Sequence, residues 1–156
     1  RDMFELFRWA SRGLTLEISG AERYINPCFV GDLATALLLA AERETTSGSI
    51  YFIAENKNYS WSEFRKTLLR TGNVKAVNLK IPYMMAYLIG VASEVGSVLS
   101  DKPALTNRQK ILEASQQYWI CDLSKTEKEL GFTHRYSLEH GMGITWNWFR
   151  NNGWLR

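Results

Sequence analysis

The sequence is poor in the residues from which metal centres and disulfides are built. Its 156 residues include only two cysteines, two histidines and three prolines. Cys28 and Cys121 are far apart, neither belongs to a Cys-x-x-Cys pair, and His134 and His140 complete no zinc-ligand spacing with them. We therefore expect no metal site. We expect both thiols, which have apolar neighbours, to be small buried hydrophobic side chains of a cytoplasmic protein.

Common cofactor and catalytic motifs are also missing. There is no Gly-x-Gly-x-x-Gly, no phosphate-binding P-loop, no Gly-x-Ser-x-Gly and no His-Glu-x-x-His. Gly141-Met142-Gly143 lies within an expected helix, where its glycines favour close packing over phosphate binding. Both histidines come late in the chain, and no acid/base group is evident. We predict no catalytic residue, no cofactor-binding residue and no metal ligand here, so the chain alone would be inactive.

Neither the charges nor the hydrophobic runs indicate a nucleic-acid or membrane protein. The formal net charge is +3, from 19 basic and 16 acidic residues that are spread along the chain, whereas binding to a phosphate backbone needs clustered basic residues. The longest apolar stretch, 81–99, includes Glu94, which is unfavourable inside a bilayer. It predicts a core or lid helix, with membrane contact as the less favoured alternative. Asp101-Lys102-Pro103 would end this helix, and Thr106 would begin the next.

Strand and helix patterns alternate through the first half, and helices dominate the second, which predicts an α/β fold. Ser60 and Ser137 are expected to cap helices, and Gly131 to end one. Asp32 is expected to cap a buried helix. The predicted strands are 14–18, 24–30, 50–54, 74–81 and 118–121, and the predicted helices are 2–13, 33–41, 61–72, 82–99, 107–114, 124–130 and one from 138.

A series of short motifs near the end of the chain follows a characteristic order. Trp119-Ile120-Cys121-Asp122-Leu123-Ser124-Lys125 precedes Leu130-Gly131-Phe132, then Ser137-Leu138-Glu139-His140-Gly141, then Trp148-Phe149 and Gly153-Trp154-Leu155. This series resembles the C-terminal signature of the extended short-chain dehydrogenases/reductases, the NAD-dependent epimerase/dehydratase superfamily. Upstream, 29–36 is similar to the superfamily's Val-x-Asp-Leu/Val-Ala-x-Ala segment. The 80–106 region is most similar to its 3-beta-hydroxysteroid dehydrogenase and dihydroflavonol reductase branch.

The resemblance covers nearly the whole chain and implies that residues 1–156 are the C-terminal, substrate-binding portion of a larger enzyme. The chain begins Arg1-Asp2-Met3 without a leader, in agreement with that expectation. The implied fold is the C-terminal part of a Rossmann-type α/β enzyme with a helix-rich substrate lid. An N-terminal Rossmann domain would bind NAD or NADP and carry the Ser/Tyr/Lys catalytic group, since no lysine here follows a tyrosine by four positions.

The resemblance also implies the class of substrate and its contacts. The substrate would be a hydroxy or keto compound with an apolar, steroid- or flavonoid-like skeleton, and a sugar nucleotide is the alternative. The chain's partners would be this small molecule and its own Rossmann domain, and a homodimer is compatible with the family. Arg23 lies nine residues before Asp32, two more than in the sugar-nucleotide branch. The predicted substrate-binding residues are Arg23, Phe29, Tyr83, Met84, Tyr87, Arg108 and Trp119.

Other interpretations stay open at this point. Arg23 and Arg108 could be surface residues, and Tyr83, Met84 and Tyr87 could serve core packing. The whole protein could be a non-catalytic NAD(P)-binding sensor of the same superfamily. A free-standing interaction module is a further alternative, and it would have to fold without exposing a large apolar face.

Overall fold

The structure is a computed structural model that describes residues 2–44, 47–100 and 108–155. Each helix predicted from the sequence is present in these residues, which confirms the α/β class. Asp101-Lys102-Pro103 and Thr106, the expected helix end and start, lie outside them. The helices are α1 (Asp2–Ser11), α2 (Val30–Ala41), α3 (Trp61–Gly72), α4 (Tyr83–Ser100), α5 (Arg108–Ser115), α6 (Ser124–Leu130) and α7 (Leu138–Asn151), and the strands are β1 (Leu14–Ile18), β2 (Tyr24–Ile25), β3 (Tyr59–Ser60), β4 (Val77–Ile81) and β5 (Tyr118–Trp119).

The two long strands, β1 and β4, form a parallel pair whose register pairs Leu14 with Val77. Side chains hold this register. Thr15 Oγ1 lies 3.2 Å from Asn78 Oδ1, and Asn78 Nδ2 donates to Glu17 Oε2 at 2.6 Å. Because α1 packs beside β1, the pair is covered on the side of that helix.

The three two-residue strands form a second sheet in the order β3-β2-β5. β2 is antiparallel to β3 and parallel to β5. Asn26 extends this pairing, since its side chain accepts from the backbone N–H of Cys121 at 3.2 Å and donates to the Cys121 carbonyl at 3.1 Å. The sheet therefore brings β5 close to the N-terminus of α3, which directly follows β3.

Aromatic side chains of α1 and α7 make the main core, together with α3. Trp146 is 1% exposed, its ring lies 4.9 Å from that of Phe7, and its Nε1 donates to the Leu68 carbonyl at 2.9 Å. Gly72 provides the space for this indole, because a Cβ there would overlap the ring atoms of Trp146. α7 thereby packs directly against α3.

Two predictions about helix α2 are wrong. It begins at Val30, so Asp32 lies in its first turn and does not cap it. The buried Asp32 carboxylate accepts instead from the backbone N–H groups of Arg135 and Tyr136, at 2.9 and 3.2 Å. Only one face of α2 is buried, because the described residues bring partners to the side of Ala36 alone. The opposite face exposes Val30, Leu33, Leu37 and Leu38.

Four predicted strands are wrong in whole or in part, two of them only at their ends: the 74–81 strand begins at Val77, and the 118–121 strand ends at Trp119. Residues 50–54 form no strand, because the carbonyls of Ile50 and Phe52 accept from the side chains of Lys125 and Thr126, at 3.4 and 2.8 Å, and not from a neighbouring strand. The strand predicted for 24–30 is limited to β2, since Pro27 has no N–H to donate.

The two thiols are free, and Cys28 is exposed, which contradicts the expectation that it is buried. Phe29 takes the position against Tyr136 and Gly141 in this segment, and its neighbour Cys28 is left at the surface. Cys121 is half-buried. Within the described residues, no group of three or more potential ligands is arranged to hold a metal ion. The same residues contain no helix that combines the length and apolarity needed to cross a membrane.

Candidate functional site

A cavity with a mainly apolar lining lies between α1, α3 and α5 and has a volume of about 920 Å³. Side chains from all three helices line it, together with Trp119 of β5 and two residues of β1. Its apolar walls include Met3, Leu6, Trp9, Phe64, Leu68 and Ile111. We call it the α1–α3–α5 cavity. Its size and composition suit a small organic ligand, since ligand pockets typically occupy some 300–1,000 Å³ and are mainly apolar.

The second sheet brings Arg23 and Trp119 to this cavity. Arg23 Nη1 donates to the carbonyl of Ala114 at 3.0 Å, and its guanidinium lies 5.9 Å from the ring of Trp61. Trp119 lines the cavity, is 54% exposed, and donates from Nε1 to the carbonyl of Glu113 at 2.9 Å. Arg23 therefore supports the wall that Trp61 and α5 form, while Trp119 offers its ring to a ligand.

Three further residues of the cavity were not predicted from the sequence. Arg8 Nε, Trp61 Nε1 and Arg65 Nε are buried, and none of these donors has a hydrogen-bond partner in the described part of the chain. All three residues line the cavity. A buried donor without an acceptor costs about 1–3 kcal/mol. The four-residue spacing of Trp61 and Arg65 places them on one face of α3, but only the packing of α1 against α3 shows that this face is covered.

Charged side chains of both signs line the cavity. Arg8, Arg65 and Lys110 are the basic residues, and Glu5 and Glu113 are the acidic ones. Arg8 Nη2 pairs with Glu5 Oε2 at 2.7 Å, across one turn of α1. Three positive charges against two negative ones leave the lining with one net positive charge.

The predicted residues Tyr83, Met84, Tyr87 and Arg108 form a separate group on α4 and α5. Arg108 donates to Glu94, from Nε to Oε2 and from its backbone N–H to Oε1, both at 2.8 Å. These hydrogen bonds lower the pKa of Glu94, and the one from the backbone N–H of Arg108 has the larger effect. The Tyr87 hydroxyl, followed by Glu94, raises the pKa of Arg108. Arg108 thus joins α5 to α4.

The other members of this group lie on the surface of α4. The rings of Tyr83 and Tyr87 are 6.2 Å apart, and Met84 is exposed to 65%. None of these three lines the α1–α3–α5 cavity. Their neighbours Met85, Leu88 and Ile89 are exposed as well.

Phe29 belongs to a third place, a small cavity of about 200 Å³ beside the start of α2. Its ring lies 4.6 Å from that of Tyr136 and against Gly141 of α7. Glu55 also lines this cavity, and its buried carboxylate accepts from the Tyr59 hydroxyl at 2.6 Å and from the backbone N–H of Leu138 at 2.8 Å. The pKa of Tyr59 is raised, mainly because the side chain is buried and secondly because its hydroxyl is hydrogen-bonded to this carboxylate. Both oxygens of Glu55 are thus engaged in structural hydrogen bonds.

Known proteins resemble the chain in sequence and in fold. No protein-family profile matches it. The decarboxylating sterol-4-alpha-carboxylate 3-dehydrogenase of Candida albicans is 28% identical over 135 residues, which are 80% of this chain and 38% of that protein. Its counterpart from Saccharomyces cerevisiae is 30% identical over 130 residues, 77% of this chain and 36% of that protein. The solved UDP-glucuronic acid 4-epimerase from Bacillus cereus, in complex with NAD, superposes with a TM-score of 0.64 at 11% identity, over 94% of this chain and 36% of that one.

In sequence and in fold, the chain resembles proteins of the extended short-chain dehydrogenase/reductase superfamily. It matches the C-terminal part of such proteins and spans less than two fifths of the length of the curated relatives it matches. Its Rossmann-type relatives confirm the fold class predicted from the sequence.

The described residues do not provide the strand-turn-helix connection that binds a dinucleotide. A pyrophosphate binds where a glycine-rich turn joins a strand to a helix N-terminus. Here β1 leads into the Ser19-Gly20 turn and β2, and β4 leads through Pro82 into α4. Neither connection is a glycine-rich turn that opens a helix.

Proposed function

We propose that this chain is the substrate-binding region of an NAD(P)-dependent oxidoreductase that acts on a hydroxy or keto group of an apolar, steroid-like substrate. The observation that carries the proposal is the α1–α3–α5 cavity, which has a volume of about 920 Å³ and a mainly apolar and aromatic lining. The sequence similarity to two sterol-4-alpha-carboxylate 3-dehydrogenases supports this choice of substrate. An apolar cavity of this kind would exclude water around the reacting carbon and orient the substrate.

A sugar nucleotide is the second candidate substrate, and the similarity in fold to a UDP-glucuronic acid 4-epimerase favours it. Arg23 is the residue that would hold its phosphate. This guanidinium, however, donates to the Ala114 carbonyl and lies over the Trp61 ring. Because those contacts engage Arg23 within the wall, the apolar substrate remains the better candidate.

The predicted substrate-binding residues have different roles in this proposal. Trp119 would contact the substrate, and Arg23 would hold the wall behind it. Tyr83, Met84 and Tyr87 would contact a substrate only if it extends from the cavity across the surface of α4. Arg108 would fix α4 against α5 through Glu94, and Phe29 would pack the start of α2.

We further propose that the exposed face of α2 contacts a Rossmann domain that binds NAD or NADP. Val30, Leu33 and Leu37 recur at helical spacing on that face and remain exposed. Ile50 and Phe52, from the extended segment that finds no partner strand, are also exposed. Apolar side chains in this number normally mark a protein contact.

The test is an activity measurement on the complete protein that contains this chain. NAD or NADP is combined with hydroxysteroids, flavonols and sugar nucleotides, and the absorbance of the reduced nicotinamide is followed. We expect turnover with the steroids. In Trp119→Ala the KM should rise about tenfold with a smaller change in kcat, because the ring binds ground state and transition state alike.

Trp148→Ala is the matched control, since this tryptophan of α7 is similarly exposed, at 49%, but does not line the cavity. Its KM should stay unchanged. Turnover with sugar nucleotides alone would transfer the proposal to the second substrate class. If the protein binds a dinucleotide but turns over none of these substrates, the result would favour a non-catalytic sensor over an enzyme.

A further inference from the structure

The fold brings the two cysteines, which are far apart in the sequence, to one end of the second sheet. Cys28 follows β2 by three residues, and Cys121 follows β5 by two. β2 and β5 are parallel neighbours, with Ile25 opposite Trp119, so both segments leave the sheet in the same direction. Neighbouring strands lie about 4.7–4.9 Å apart, and a disulfide joins Cα atoms that are about 4.4–6.8 Å apart.

Asn26 holds these two segments together just beyond the paired residues. Its backbone N–H donates to the Trp119 carbonyl at 3.3 Å. Its side chain accepts from the backbone N–H of Cys121 at 3.2 Å and donates to the Cys121 carbonyl at 3.1 Å. The Cys121 thiol also donates to Asn26 Oδ1, with its Sγ 3.7 Å from that oxygen. The sulfur of Cys121 therefore lies against a residue only two positions before Cys28.

Cys28 is held in place by its neighbours in the chain. The Pro27 carbonyl accepts from the backbone N–H of Glu55 at 2.8 Å, and the Phe29 ring packs against Tyr136. The Cys28 thiol donates to the Phe29 carbonyl at 3.4 Å. A bond to Cys121 would therefore form between two segments that are already fixed at the same end of the sheet.

Electrostatics also indicate that the two thiols lie near one another. The pKa of Cys28 is raised, mainly because protein atoms around its sulfur desolvate it and secondly because of the Asp32 carboxylate, and Cys121 is a further cause. Charges affect a neighbouring pKa in this way over short distances. Both thiols are free, and because Cys28 is exposed, a small molecule in solution can reach it.

We infer that Cys28 and Cys121 form a reversible disulfide when the protein reacts with a small-molecule disulfide. The thiolate of one cysteine attacks a sulfur of the reagent, forms a mixed disulfide and releases a thiolate. The thiolate of the other cysteine then attacks the protein-bound sulfur, closes the Cys28–Cys121 bond and releases a second thiolate. The two cysteines lose two electrons, and their two protons go to the released thiolates, so one reagent disulfide becomes two thiols.

The bond would connect the end of β5 to the segment that leads into α2. Trp119 of β5 lines the α1–α3–α5 cavity, and the exposed face of α2 is the proposed contact with a Rossmann domain. Oxidation would therefore fix this wall of the cavity relative to that contact. Formation of the bond does not depend on the proposed function, because it needs only the two thiols and the reagent.

The test treats the complete protein with oxidised glutathione in mildly alkaline buffer, in which more of the Cys28 thiol is ionised. Trypsin then releases the two cysteines in different peptides, 24–43 and 111–125. We expect mass spectrometry to find these two peptides joined, and dithiothreitol to separate them. Cys28→Ser and Cys121→Ser, which keep the size of the side chain, are the controls that cannot form the bond.

The position of Asn26 provides a second measurement. Asn26→Ala removes the side-chain bridge to Cys121 and should slow the formation of the joined peptide several-fold. Asn58→Ala is the matched control, because Asn58 is exposed and takes no part in this bridge. Its rate should equal that of the unchanged protein. Circular dichroism checks that each variant is folded.

The stability of the oxidised protein provides a third measurement. The disulfide would close a long loop and restrict the unfolded chain, so the urea midpoint of unfolding should rise on oxidation. In Cys28→Ser the same treatment should leave the midpoint unchanged. A midpoint that falls on oxidation would show that the native geometry does not accommodate the bond, and would overturn the inference.

Three other outcomes would also overturn it. Glutathione could stay on Cys28 while Cys121 remains reduced, neither thiol could react in the folded protein, or Asn26→Ala could form the joined peptide as fast as the unchanged protein. These readouts need no substrate and no turnover. Their failure would therefore leave the proposed oxidoreductase function untouched, and an inactive protein that forms the disulfide would refute that function alone.

Discussion

At the scale of single residues, helix ends are set by contacts within one turn. Ser60 Oγ accepts from the backbone N–H of Glu63 at 3.1 Å, and Glu63 Oε2 accepts from that of Ser60 at 2.8 Å. These bonds, the backbone one first, hold the pKa of Glu63 below its usual value. Gly131 ends α6 with a φ of 62°, an angle that glycine adopts without strain. Such ends are readable in the sequence because they need no distant partner.

Ser60→Ala should lower the free energy of unfolding by about 1 kcal/mol, because the N–H of Glu63 loses its acceptor. Urea denaturation measures this loss. The folded-state pKa of Glu63 is lowered, so its contribution is present above its unfolded pKa and is lost as the pH falls through the folded pKa. Alanine keeps the backbone N–H of residue 60, the first cause of this lowered pKa, and loses only the contribution of the serine side chain, so the difference between the variant and the unchanged chain should narrow slightly in acid.

The control for this prediction is Ser62→Ala in the same turn. Ser62 uses its backbone N–H, which donates to Glu22 at 3.1 Å, and alanine retains that group. We expect a change within about 0.5 kcal/mol. Equal losses for the two substitutions would show that the capping box contributes nothing measurable.

At the scale of elements, the packing of α3 against α7 depends on a small residue facing a large one. Gly72 ends α3, and the Trp146 indole occupies the space where a side chain would stand. The indole N–H also donates to Leu68 in the turn before Gly72. The sequence predicts both helices and the cap of α7 at Ser137, whose Oγ accepts from the backbone N–H of His140. It does not predict this contact, because the pairing of the helices is a long-range event.

Gly72→Ala should therefore destabilise the chain by about 1–3 kcal/mol, the usual cost of overfilling a packed core. Thermal or urea unfolding measures it. Gly143→Ala on α7 is the matched control, because a Cβ there meets nothing within 4 Å. That change should be neutral or should stabilise by up to about 1 kcal/mol, since alanine favours a helix interior. A tolerated Gly72→Ala would contradict the packing of α3 on α7.

At the scale of the whole molecule, the described residues leave large apolar side chains of α2 and of the 50–54 segment exposed. Leu37 and Leu38 of α2 expose 62% and 66% of their surface, and Ile50 and Phe52 of the neighbouring extended segment expose 74% and 57%. Exposing these apolar side chains to water is unfavourable, so we expect another protein surface to cover them. We propose a Rossmann domain for that role, and a second copy of this chain would substitute when the chain is purified by itself.

We therefore expect the 156-residue chain alone to self-associate and Leu38→Glu to shift it towards the monomer. Size-exclusion chromatography with light scattering measures the mass. Leu112→Glu is the control, because Leu112 of α5 is also exposed, at 53%, but lies outside the α2 face. If both substitutions have the same effect, or neither has any, the α2 face is not the contact.

The candidate site shows which of its residues can be predicted from the sequence and which cannot. Arg23 and Trp119 were predicted from motifs, and both contact the walls of the α1–α3–α5 cavity. Arg8, Trp61 and Arg65 were missed, because no binding motif contains them and each is an ordinary residue of an amphipathic helix. Their assignment needs the joint position of α1 and α3, which local patterns do not contain. Whether any of these residues binds substrate stays a prediction.

The sequence by itself determined the helices, the long strands and the superfamily, because helix caps, periodicity and ordered short motifs act over a few residues. Tertiary structure alone decided which faces are covered. The buried carboxylate of Asp32 binds a segment a hundred residues away, the 50–54 run accepts hydrogen bonds from side chains of α6 and not from a strand, and one face of α2 is exposed. In each case the outcome depends on a partner distant in the chain, and burial and hydrogen bonding are settled only when that partner is in place.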